Sequence, residues 1–130
     1  QQFFPILVHL ISRIIGQGAG FVDVFEQPEL HLHDAIHPEI ADLLIQSVET
    51  GGQVLVETHS EGLLMRLRRR LAERRILEGS VAIYWVSDDG KVARINIDQD
   101  GNLDGWPGGV FFETYEELKC VRAAARHHAI

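Results

Sequence analysis

Positive charge, cysteine and long apolar runs are all scarce in this chain, and each scarcity removes a class of explanation. Its 12 lysines and arginines face 19 acidic residues, for a net charge of -7. A general nucleic-acid binder needs a cationic footprint to neutralise phosphates, so this balance argues against one without excluding a local basic patch. Cys120 is the single cysteine. No intrachain disulfide can form, which suits a reducing compartment, and a cytoplasmic location is expected. No apolar run reaches the ~18 residues needed to cross a bilayer, so no membrane partner is expected. The N-terminal residues lack the basic region and cleavage site of a signal peptide. They open on Gln1 without a methionine, as expected of a chain cut from something longer. What is there is ordinary for a globular domain: 130 residues, 45% hydrophobic and 24% charged. A chain of this size buries roughly two-thirds of its unfolded surface.

The apolar pattern sets the expected elements. "PILVHLISRII" is apolar nearly all round, with Pro5 suited to a first turn, and predicts a helix over 6–15 that wants cover on several sides. "GQGAG" stops it, and "FVDVF", residues 21–25, reads as a short buried strand ending at Glu26. Between Asp34 and Thr50, Ile36, Ile40, Leu43, Leu44 and Val48 fall at helical spacing, closed by Gly51 and Gly52. "QVLVE" is a second strand. The helix after it carries Leu64, Leu67 and Leu71 on one face, with Thr58 and Glu61 at capping-box spacing. Strand, helix, strand, helix predicts an α/β fold with a parallel sheet covered by helices over residues 1–79. Over residues 80–130, "VAIYWVS" and "KVARINI" flank "DDG" as a β-hairpin. "DQDGNLDGWPGG" is a turn-rich loop there, and "ETYEELKCVRAAARHH" is a closing helix.

Ligands of parallel α/β sheets bind beyond the carboxyl ends of the strands. The first strand delivers Glu26, Gln27 and Glu29 to that edge, and the second delivers Glu57, Thr58, His59 and Ser60. If the strands are neighbours, the two sets share one pocket. Carboxylates there attract a hard cation such as Mg²⁺, and the helix starting near Ser60 offers free N–H groups to an anion.

These residues carry a resemblance. "FVDVFEQPELHLHD" resembles the Walker B strand and D-loop of ABC-class, AAA-type ATPases of the overcoming-lysogenisation-defect group, whose usual form is an apolar run followed by E-E-P-E-x-H-L-H-P. "VLVETHSE" resembles their histidine switch, and "FFPILVHLI" the helix after the signature loop. "GNLDGWPGGVFFETYEEL" resembles a tail module of unknown function found after some of these cores, with Val110 as one additional residue. The resemblance implies that residues 1–79 are the C-terminal half of a P-loop NTPase core and 80–130 its tail. It implies that Glu26 holds the Mg²⁺ shell through water, that Glu29 and Ser60 line the nucleotide, and that His59 senses the γ-phosphate. It further implies ATP and Mg²⁺ as cofactors of the whole protein, and a homodimer or a missing N-terminal half as partner. A nucleic acid or effector protein would be what the dimer acts on.

Two departures matter for chemistry. Gln27 stands where the family more often has the glutamate that deprotonates attacking water. An amide positions water but accepts no proton near neutral pH. Positioning is sufficient in some GTPases, so Gln27 is expected to orient water while Glu57 supplies the missing charge or base. The second departure is the absence of a G-x-x-x-x-G-K-[ST] phosphate loop. Lys91 and Lys119 are the only lysines, and neither stands in that frame. The isolated chain is therefore expected to bind no cofactor and to be inactive.

Other readings stand beside this one. Gln27 equally fits a non-hydrolysing regulatory lobe that locks an ATP-bound dimer. Glu29, His31, His33 and Glu57, with His37 nearby, could form a metal-dependent hydrolase site. Six arginines between Arg66 and Arg75 read as a solvated helix or as a surface for nucleic acid or an acidic partner. Trp85, Trp106, Phe111 and Phe112 read as the core of the tail.

Overall fold

In a computed structural model the described residues are 8, 9, 11, 12, 15, 16, 20–105 and 112–127. Val8, His9, Ile11, Ser12 and Ile15, from the expected first helix, are helical, and so is Gly16, beyond the expected end of that helix. Trp106 and Phe111 lie outside the described residues, as does the side chain of Phe112. The chain is mixed α/β and divides into two compact units: Gln1–Val81 with Asp98–Asn102, and Ala82–Ile97 with Leu103–Ile130.

In the first unit, β1 (Val22–Glu26) pairs parallel with β2 (Gln53–Glu57), from Val22 opposite Gln53 to Glu26 opposite Glu57. Between them run a 3-10 turn (Asp34–Ile36) and helix α1 (His37–Glu49), and after β2 comes α2 (Glu61–Ala72). Ile40, Ala41 and Leu44 of α1 meet Leu63 of α2 in the core, with Phe25, Val54 and Val56 of the sheet packed against them. Burial alternates along both strands, because α1 and α2 cover one face. Val22, Val24 and Leu55 on the other face are 60%, 73% and 49% exposed. The expected fully buried strands are therefore half-buried in this chain.

The α-helix begins at His37, beside Pro38, which has no N–H for the ladder and is tolerated only in the first turn. Two local expectations are corrected. The cap of α2 is Ser60, whose hydroxyl accepts from Leu63 N–H at 3.1 Å. Thr58 does not cap, because its hydroxyl donates to Glu29. The buried leucines of α2 are Leu63 and Leu71, while Leu64 and Leu67 are half-buried.

The two helices are also joined by charge. Asp42 on α1 accepts from Arg66 at 2.5 Å and from Arg70 at 2.7 and 3.0 Å. The Arg70 hydrogen bonds lower the Asp42 pKa, partial burial pushes the other way, and Arg66 adds to the lowering. Gly62 of α2 faces His37 and Pro38, where a Cβ would make ordinary contact at 3.4 Å. At its far end α2 closes with Arg74 in the left-handed region (φ 62°). Arg75 N–H donates to Arg70 O and Arg74 N–H to Leu71 O, the Schellman pattern. Gln99 completes that end, its amide nitrogen donating to the carbonyls of Leu71 and Ile76 at 2.8 Å.

In the second unit β3 (Ile83–Val86), β4 (Val92–Ile97) and β5 (Leu103–Asp104) form an antiparallel sheet in chain order, and α3 spans Phe112–His127. Among its described residues Ile95 is buried and Trp85 is half-buried. The segment expected to be only a loop therefore contains a short strand. Its turn repeats the first hairpin's chemistry: Gly90 and Gly101 both take positive φ, and each donates to the residue three before it. No helix among the described residues is long and apolar enough to cross a membrane.

Candidate functional site

The parallel register decides what meets at the strand ends. Glu26 is the Cα partner of Glu57, and Gln27 N–H extends the ladder one step to the Glu57 carbonyl at 2.8 Å. Residues in register send their side chains to the same face. Both carboxylates are exposed, on the face that α1 and α2 leave open. Like charges across neighbouring strands repel, and a divalent cation relieves that repulsion. Mg²⁺ needs only one or two protein carboxylates, with waters and phosphate oxygens as its other ligands, so this pair fits it.

Past Glu26 the backbone is strained. Gln27 and His31 hold φ of 45° and 67°, a region that costs a non-glycine residue roughly 1–2 kcal/mol. Hydrogen bonds from Leu30 N–H to Gln27 O and from Leu32 N–H to Glu29 O, both 3.0 Å, hold the turn. Gln27 is half-buried there, and His31 is exposed.

Glu29 lies inside, only 7% exposed. Its Oε1 accepts from Thr58 Oγ1 at 2.7 Å and from His59 N–H at 2.8 Å. Its Oε2 is buried with no hydrogen-bond partner among the described residues. Thr58 Oγ1 in turn accepts from Ser60 N–H at 3.0 Å. His59 is exposed.

Ser60 is 4% exposed, and its hydroxyl is occupied twice. Besides capping α2, it lies 2.8 Å from His37 Nδ1, while His37 Nε2 lies 3.3 Å from the Leu32 carbonyl. A carbonyl only accepts, so in the neutral ring Nε2 carries the proton and Nδ1 accepts from Ser60. A hydroxyl donating to an imidazole is also how a nucleophile meets its base. Here the oxygen is enclosed and serves as a helix cap, so the pair fastens a loop.

The structure thus brings Glu26, Gln27, Glu57 and His59 to one edge of the sheet and places Glu29 and Ser60 beneath it. Sequence reasoning passed over His37 as a structural group; its position at the start of α1, before Pro38, was the available signal. It also passed over Asp23, a buried acid within an apolar strand, 3.1 Å from His9 Nε2.

The other readings find less here. His33 Nδ1 accepts from Ala35 N–H at 3.2 Å, and among the described residues no group of three His, Cys, Asp or Glu side chains could hold a metal. Of the six arginines, Arg66 and Arg70 bind Asp42, Arg69 binds Glu73, and Arg68 and Arg74 bind the Gly101 and Gln99 carbonyls. Five are thus engaged within the chain, while Arg69, Arg74 and Arg75 remain exposed, as on a solvated face. Compared with family models, curated proteins and solved structures, the chain matches none.

Proposed function

We propose that this chain supplies the Walker B, D-loop and histidine-switch half of a nucleotide site in an ABC-class ATPase of the overcoming-lysogenisation-defect type. The observation that carries the reading is the parallel register that sets Glu26 beside Glu57 and ties Gln27 N–H to the second strand. Two carboxylates, a water-holding amide and a histidine at adjoining strand ends are what one wall of a triphosphate site requires. In this reading Glu26 holds the Mg²⁺ water shell, Gln27 orients water, Glu57 provides charge or base, and His59 faces the terminal phosphate. Bound Mg²⁺ would supply charge neutralisation on the phosphate oxygens. The phosphate loop comes from another segment or subunit, within a dimer acting on nucleic acid or an effector protein.

The test is Glu57→Gln in a protein that also carries the phosphate loop. Mg²⁺-dependent turnover is expected to vanish while ATP binding persists; unchanged turnover removes Glu57 from the mechanism. Gln27→Glu separates hydrolysis from a regulatory lobe. A variant that gains turnover from an inactive parent identifies the native chain as the lobe that locks ATP in place.

A further inference from the structure

Two polar ties cross between the strained turn after β1 and the loop that carries His59. One is Glu29, whose Oε1 takes Thr58 Oγ1 and His59 N–H. The other is His37, which joins Leu32 O to Ser60 Oγ. They flank His59 on both sides, through Thr58 and its own N–H on one and through Ser60 on the other. Glu29 and Ser60 are more than nine-tenths buried, and the His37 side chain is 13% exposed, so water competes weakly for these bonds.

We propose that Glu29 and His37 are positioning residues that clamp the His59 loop to the turn holding Gln27, so that the two loops move as one body. The clamp uses Glu29 Oε1, which is already filled by Thr58 and His59. The importance of His59 rests on the nucleotide reading, but the clamp itself needs no nucleotide. In mechanical terms, a shift of the 27–33 turn carries the His59 main chain with it. Gln27 and His59 therefore keep one spacing, which is the requirement for two groups that must act on the same bound molecule.

Amide hydrogen exchange in the whole 130-residue chain tests this, with no ligand added. Leu32 N–H and His59 N–H both end on Glu29, at its carbonyl and its carboxylate. Once corrected for intrinsic rates, their exchange is expected to agree within about threefold, as one opening event requires. Glu29→Ala is expected to speed His59 exchange by roughly tenfold to a hundredfold, the effect of losing a charge-assisted bond. Glu29→Gln keeps an acceptor oxygen in place and is expected to restore protection to within about threefold of the parent. It should also move the His59 amide resonance, because the acceptor becomes neutral. A parent in which the two amides exchange on unrelated rates overturns the clamp. So does an alanine variant that leaves His59 unchanged. Should Glu29→Ala not fold, the glutamine variant and the parent comparison decide the matter alone. Failure of ATP turnover in a complete site would count against the nucleotide reading and leave these exchange rates as they are.

Discussion

At the scale of single residues, the molecule is defined by which polar atoms are satisfied. Glu29 was legible as a candidate because a second acid follows Glu26 and Pro28, but its partner was not. Thr58 and His59 lie 29 and 30 residues away, and only the pairing of β1 with β2 brings them near. Gln27 was legible as an amide among acids; its left-handed backbone was not, since nothing in a Q-P dipeptide demands positive φ. Ser47 makes the opposite case. It is fully buried in α1 and its hydroxyl has no partner among the described residues. Ser47→Ala removes an orphaned polar group and raises helix propensity, so it should stabilise the chain by roughly 0.5–2 kcal/mol. Urea denaturation reads this directly, and a lower midpoint for the variant would show that the hydroxyl is satisfied in solution.

At the scale of elements, α1 and α2 are held by an apolar seam and one acidic residue, Asp42. Because its folded pKa is lowered, Asp42 contributes stability that is present above its unfolded pKa and lost as pH falls through the lower folded value. Acid should therefore weaken the α1–α2 contact below about pH 4. Asp42→Asn should flatten that part of the stability curve and lower stability near neutrality by about 1 kcal/mol, a figure discounted for partial exposure. Equal pH profiles for parent and variant would remove the charge network from the account. Gly101 is a second element-scale constraint. It holds φ of 79°, and a Cβ there would stand 2.5 Å from the Arg68 carbonyl oxygen. Backbone on both sides cannot give way cheaply, so Gly101→Ala should destabilise by at least about 1 kcal/mol, measured by thermal melting. The D-G turn was readable in the sequence, whereas the helix behind it was not.

At the scale of the whole molecule, the five-residue segment Asp98–Asn102 belongs to the first unit although its flanking strands belong to the second. Gln99 caps the α2 carbonyls, and Arg68 and Arg74 hold the segment's own carbonyls. A fragment ending at Val81 should therefore be less stable than the same residues within the whole chain, by roughly 1–3 kcal/mol for the lost caps. Coincident urea transitions for the α1–α2 core in both proteins would refute this. The same scale governs activity. Without a phosphate loop the purified chain should show negligible Mg²⁺-dependent ATP turnover, and any measurable turnover would overturn the half-site reading.

The sequence by itself determined the first four strands, the helices and the first hairpin turn, because apolar period and turn glycines act over a few residues at a time. It also determined that acids, an amide and a histidine would end the two parallel strands. Only the tertiary structure decided that Glu29 and Ser60 face inward and that His37 joins them, and that a loop from the second half of the chain closes α2. Those choices depend on which distant groups share a buried volume, and neither period nor local propensity encodes that.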